Sequence, residues 1–145
     1  MKTTLFLTAL YLVFGFFACK KTDPNHPVAY DKFEFGKNYG LVGTKHFRIV
    51  DGYLYKGSNG EFDTVAMDAS KYTMAQELVY TFPAYLQQKN GGHFGCDNCA
   101  DQEMVFVSIS KDGVVRSWTM DTDLSTLPVP LKQYAQRIDE IVAQL

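Results

Sequence analysis

Histidine, cysteine and clustered positive charge are all scarce in this chain. Its three histidines, His26, His46 and His93, are scattered over 145 residues. None has an evident sequence partner that would make it a general base, so a histidine-centred reaction has few candidates. No Gly-x-Ser-x-Gly elbow, phosphate-cradling glycine loop or His-Glu-x-x-His pair occurs. No residue is therefore assigned a catalytic role, no cofactor is implied, and the balance of the residues is against an enzyme. Fourteen basic residues stand against sixteen acidic ones with no run that concentrates either. A nucleic-acid partner, which needs a basic patch, is excluded on that ground. Beyond the first nineteen residues no stretch is long and apolar enough to enter a bilayer.

What is present begins at the N-terminus. Met1-Lys2-Thr3-Thr4 carries one positive charge and leads into an apolar run from Leu5 to Ala18, which ends at Cys19. A charge, a greasy core, a small residue and a cysteine in that order are the layout of a secretory signal. The run falls short of the roughly 20 residues that span a hydrocarbon core, so cleavage is favoured over a permanent helical anchor. Ala18-Cys19 fits a lipoprotein cleavage site, at which the Cys19 thiol is acylated and becomes the new N-terminus; Phe16 and Phe17 depart from the Leu and small polar residue usual there. The division expected is residues 1–18 as signal peptide, 19–29 as a lipidated tether and 30–145 as one domain. The mature chain, residues 19–145, keeps 127 residues with 13 basic and 16 acidic side chains, a formal net of −3, because only Lys2 is lost among the charges. That length suffices for one domain with a real core. Lys20 directly after Cys19, with no acidic residue beside it, points to the outer rather than the inner membrane. Whether the anchored domain faces the periplasm or the exterior stays open.

With Cys19 assigned to lipid, Cys96 and Cys99 remain, in an exported protein where disulfides persist. Cysteines three residues apart in a turn lie within bridging distance. The loop they close is tiny, so the bridge removes little chain entropy and acts as a local clip.

Along the rest of the chain, Lys20 to Ala29 is polar with two prolines and reads as tether, with His26 solvated inside it. Tyr30 to Phe35 alternates, Phe33 and Phe35 on one face against Lys32 and Glu34 on the other, which predicts a half-buried strand. Gly36, Gly40 and Gly43 then predict a turn region. His46 to Tyr55 forms a hairpin through Asp51-Gly52, a pair suited to a type I′ turn. Its two-residue turn pairs Val50 with Tyr53, Ile49 with Leu54 and Arg48 with Tyr55. Phe47, Ile49 and Leu54 share the core face, while His46, Arg48, Val50, Tyr53 and Tyr55 share the other. Phe62 to Met67 reads as a short third strand.

A helix follows from Thr73, with Gln76 completing a capping box and Leu78, Phe82 and Leu86 on one stripe. Pro83 breaks it into two pieces. A second hairpin turns at Asp112-Gly113, with Val105, Val107, Ile109, Val114, Trp118 and Met120 on one face and Phe106, Ser108, Ser110, Val115, Ser117 and Thr119 on the other. Pro128 and Pro130 start a last helix, whose Leu131, Tyr134, Ile138, Ile141 and Leu145 form a stripe that must lie on the sheet. The fold class expected is α+β: an antiparallel sheet from two ββα-like halves, with helices packed on one face.

Phe35-Gly36 ahead of a glycine-containing turn and hairpin, Phe82-Pro83 with Leu86, and Gly95-Cys96-Asp97-Asn98-Cys99-Ala100-Asp101-Gln102 entering a second hairpin give the chain a recognisable look. With Trp118, Asp121 and Pro128, it resembles small uncharacterised envelope lipoproteins of bacteroidete type. The resemblance implies a lipid-anchored envelope domain without an established reaction. Some members carry a further cysteine near residues 40 to 43, where this chain has Leu41-Val42, so the longer-range disulfide of those members has no counterpart here.

Two functional classes stay in view. The first is a non-catalytic binding module that takes an envelope protein or glycan through the face of His46, Arg48, Tyr53 and Tyr55; coverage of that face by another chain segment is its structural alternative. The second is thiol–disulfide or metal chemistry at Cys96 and Cys99. A reactive pair needs a thiol with a lowered pKa, and Asp97, Asp101 and Glu103 oppose that. His93-x-x-Cys96-x-x-Cys99 with Asp101 has zinc-like ligand types but lacks a second separated ligand pair. Asp121-x-Asp123-x-Ser125 mimics the start of a calcium loop, but Thr126 replaces its glycine and Lys132 its glutamate. No metal site is assigned.

Overall fold

The first strand in the chain is the middle strand of the sheet. A computed structural model of the protein describes residues 28–58, 61–96 and 102–145. The strands are β1 (Lys32–Asn38), β2 (Thr44–Val50), β3 (Tyr53–Ser58), β4 (Glu61–Phe62), β5 (Gly92–Phe94), β6 (Met104–Lys111) and β7 (Val114–Asp121); the helices are α1 (Ala69–Tyr80), α2 (Ala84–Gln87) and α3 (Val129–Gln144). The strand order is β4-β3-β2-β1-β6-β7-β5. The α+β class expected from the sequence is the architecture found, with the helices on one side of the sheet. Five of the six strand pairings are antiparallel, and the sixth, β5 on β7, is parallel, which makes the sheet mixed.

Two local turns set the register of most of the sheet. Asp51 and Gly52 have φ of 51° and 79°, and Asp112 and Gly113 have φ of 51° and 78°. Positive φ at both central residues is the type I′ geometry, whose twist matches that of the strands it joins. It places Ile49 opposite Leu54 and Val107 opposite Trp118. Phe33, Phe35, Phe47, Ile49, Leu54, Val105, Val107, Trp118 and Met120 consequently face the helices and are buried.

α3 lies against β1, β6 and β7 and also against α1. Leu131, Tyr134, Ile138 and Ile141 are buried as the stripe requires, and Leu145 is partly buried beside them. Each fully buried aliphatic side chain of this stripe contributes about 1.5–3 kcal/mol. The ion pair that Arg137 makes with Glu77 across the α1–α3 contact is partly exposed and worth at most about 1 kcal/mol. Apolar burial, not the ion pair, holds these helices together. Pro83 separates α1 from α2, and Phe82, at the break, packs edge-on to Phe33, Trp118 and Tyr134.

Several local expectations are corrected. The first strand runs to Asn38, and Gly36 sits inside it rather than in the following turn. The turn proper is Tyr39–Gly43, where Gly40 and Gly43 have φ of 63° and 121° and Leu41 is 95% exposed. The strand expected over Phe62 to Met67 is β4, which ends at Phe62, after which Asp63 and Met67 each donate one amide bond to β3. α1 starts at Ala69, because the Lys71 and Tyr72 amides already bond to the Asp68 carbonyl. Thr73 is no cap: its hydroxyl donates back to the Ala69 carbonyl inside the helix, a local bond open to any mid-helix threonine. Gln76 donates to the Tyr72 hydroxyl instead of closing a capping box. β5, for which the sequence gives no strand signal, is a short strand that gains its ladder only from β7.

Gly36 is fixed by its neighbours. A Cβ there would overlap the Lys45 carbonyl oxygen and lie 2.6 Å from Phe106 Cζ. Overpacking of that kind costs about 2 kcal/mol, so Gly36→Ala should lower the urea unfolding free energy by about that amount, read by far-ultraviolet circular dichroism. A loss under about 0.5 kcal/mol, the usual scatter of neutral substitutions, would show that Phe106 and the strand yield freely.

Candidate functional site

The side of the sheet away from the helices carries the residues that alternate with the core. Four pairings align one row across five strands: Phe106 with Gly36, Gly36 with His46, His46 with Gly57, and Gly57 with Phe62. Two glycines leave room for the two phenylalanine rings, which close on His46 from either side. The His46 ring lies 4.7 Å from Phe62 and 5.1 Å from Phe106, both edge-on. Rings laid over strand glycines restore the side-chain contact those positions lack.

The adjacent row aligns Ser117, Ser108, Glu34, Arg48 and Tyr55. Glu34 is its centre. Its Oε2 pairs with His46 Nε2 at 3.1 Å, and its Oε1 accepts from Arg48 Nε at 2.7 Å. The Arg48 guanidinium lies 3.6 Å from the Phe62 ring centre, a cation–π contact. The hydrogen bond with His46 is the largest influence on the Glu34 carboxyl; with Arg48 it outweighs partial burial and holds the pKa below the ordinary glutamate value. Ser117 donates to Ser108 at 2.9 Å further along the row. Lys32, Glu34, Arg48, Ser108, Ser110 and Val115 line a trough of about 140 Å³.

A second polar cluster sits where β5 meets β7. Asp121 is 1% exposed. It accepts hydrogen bonds from the Cys96 amide and the Thr126 hydroxyl, and its Oδ1 is 3.9 Å from His93 Nε2. His93 Nδ1 bonds Thr119 Oγ1 at 2.9 Å. Gly95, at φ 134°, leaves the space the Asp121 carboxyl fills. The cluster pins the start of the cysteine loop to β7. A carboxylate at that point disfavours a thiolate.

On the helix side, Lys37 is buried between Glu103 at 2.6 Å and Asp139 at 2.8 Å. Burial, the largest single influence, pulls its pKa down, but the bonds to Asp139 and Glu103 prevail and leave it raised. Lys45 Nζ donates to the Val142 carbonyl near by. These contacts fasten the end of α3 to β1 and β2.

His46, Arg48, Tyr53 and Tyr55 thus share one open sheet face, as their alternation implies, with Tyr53 57% exposed. His46 and Arg48 are bound into a network by Glu34, Phe62 and Phe106. Those three came from β1, β4 and β6, and only the pairing of strands distant in sequence could have singled them out. Cys96 is half-buried beside Asp121. Cys19, Cys99 and Asp101 lie outside the described residues, so the lipid site, the Cys96–Cys99 bridge and the zinc-like set stand as sequence expectations. Among the described residues no group of three His, Cys, Asp or Glu side chains is placed to hold a metal ion. Asp121 and Asp123 of the calcium-like motif are separately engaged, Asp123 accepting from the Ser125 amide in a turn. No helix among the described residues is long and apolar enough to cross a membrane. The chain matches no known protein family, no curated protein and no solved structure.

The lowered Glu34 pKa sets a pH dependence. Its stabilisation is complete above the ordinary value of 4.5 and is lost as pH falls through the lower folded-state value. Between pH 7 and pH 3, wild type should therefore lose more melting temperature than Glu34→Gln, the two curves converging at the acid end. Parallel curves would place the network's stabilisation elsewhere.

Proposed function

We propose that this is a lipid-anchored protein of the cell envelope, most simply of the outer membrane, whose molecular work is non-catalytic binding through the open face of the sheet. The leader with Cys19 supports the location, and so does the resemblance to envelope lipoproteins. The binding reading rests on one observation: Glu34, between His46 and Arg48, holds a polar face in fixed geometry beside the outward-facing rings of Tyr53 and Tyr55. A preorganised surface loses little side-chain entropy when a partner docks. The exposed Tyr53, beside the half-buried Tyr55, brings apolar area and a hydroxyl together, which suits an envelope protein or a glycan.

The thiol reading at Cys96 and Cys99 has His93 in its favour and the Asp121 carboxylate against it. A reduction potential well below the glutathione range, with no reduction of insulin, would remove it.

Tyr53→Ala with Tyr55→Ala should leave the unfolding midpoint within about 1 kcal/mol of wild type and abolish co-isolation of the partner by crosslinking on intact cells. Unfolding by the pair would show that the face is structural, and retained capture would move binding elsewhere. Mass spectrometry of the N-terminal peptide tests the location: it should begin at Cys19 and carry fatty acyl groups, and a retained Met1 would overturn the anchor.

A further inference from the structure

The trough on the open face has a composition of its own. Lys32, Glu34, Arg48, Ser108, Ser110 and Val115 line about 140 Å³, space for one ring-sized group rather than a drug-sized ligand. Its charges are two cations and one anion. Both Glu34 oxygens are taken, Oε2 by His46 and Oε1 by Arg48 Nε. The two terminal nitrogens of Arg48 have no acceptor among the described residues, and the exposed Lys32 makes no ion pair or hydrogen bond among them. Lys32 pairs with Val50 and Glu34 with Arg48, so the two cations are diagonal neighbours across β1 and β2, within reach of one ligand group. Beside them Ser108 accepts from Ser117 and has its own proton to give, and the Ser110 hydroxyl has no partner among the described residues. One row aligns Tyr53, Val50, Lys32, Ser110 and Val115, which puts the exposed Tyr53 ring in line with the trough.

We propose that the trough binds the carboxylate-bearing ring of an acidic glycan, a hexuronic acid unit. This deepens the reading of the open face as the binding surface and rests on it. The carboxylate sits between Lys32 and the terminal nitrogens of Arg48, and ring hydroxyls meet Ser108 and Ser110. The apolar C–H face of the neighbouring sugar lies on Tyr53. Two cations against one anion leave a single net positive charge, which matches a carboxylate better than a phosphate monoester with its charge of about −1.5 to −2. Val115 is the single apolar residue of the lining, so an alkyl chain gains little there. The serine hydroxyls favour a ligand that carries hydroxyls of its own.

Calorimetric titration of the full chain in detergent with trigalacturonate, neutral galactotriose and triaspartate tests the assignment. Trigalacturonate should bind saturably, and the other two at least about tenfold more weakly, since each lacks either the charge or the sugar hydroxyls. Lys32→Gln, at an exposed position without a polar contact, should weaken trigalacturonate about tenfold at an unchanged unfolding midpoint, and Lys32→Arg should bind it like wild type. Equal affinity for galactotriose or triaspartate, no saturable binding of trigalacturonate, or wild-type affinity in Lys32→Gln would each overturn the assignment. Such a result with partner capture still lost in the Tyr53→Ala, Tyr55→Ala variant would remove the ligand class and leave the binding face standing. Retained capture in that variant would remove both.

Discussion

β1 is paired on both edges and covered by the helices on one face, and the rest of the structure is arranged around that burial. Phe33 and Phe35 are fully buried under the helices. β2 and β6 hydrogen-bond to its two edges along the same seven residues. Neither hairpin could form a stable sheet alone, since two strands in water are marginal. Docked on either side of β1 they make a surface wide enough for α3 to lie across. Gly36 is the steric condition for this, because its missing side chain admits Phe106 from one neighbour and the Lys45 backbone from the other.

The alternation of β1 also sorts its charges. Glu34 points to the open face and gathers His46 and Arg48; Lys37, three residues on, points to the helix side and gathers Glu103 and Asp139. One strand thereby anchors a polar network on each face of the sheet. Lys37 ties α3 to the sheet where the strand ends, and a buried pair of this kind resists removal of either partner more than it adds over an apolar alternative. Glu34 has the more consequential position, because the side chains it orders are those a partner would meet.

The sheet has two unlike ends. Both Asp-Gly turns lie at one, where Asp31 accepts from Lys111 and from the Asp112 amide. The Tyr39–Gly43 turn with its exposed Leu41 lies at the other, beside Glu103 and Asp139.

Much was legible from local rules. Asp51-Gly52 and Asp112-Gly113 determine their hairpins and registers by themselves, because type I′ turns are specified by two residues and the faces follow from a period of two. The α3 stripe and the break at Pro83 are equally local. What the sequence could not order was the partnering of β1 with β6, 66 to 78 residues away, and of β3 with β4, and with them the place of Gly36, Phe106 and Phe62 around His46. β5 escaped for the same reason: one glycine followed by two rings carries no period, and only the edge of β7 makes the three residues a strand. Thr73 misled because a threonine hydroxyl serves a helix interior as readily as its start. Turn chemistry and side-chain period are properties of a few adjacent residues, whereas strand order depends on which apolar faces meet once the chain has collapsed. The hairpins and helices were therefore written in the sequence, and the network on the open face was decided by the tertiary structure.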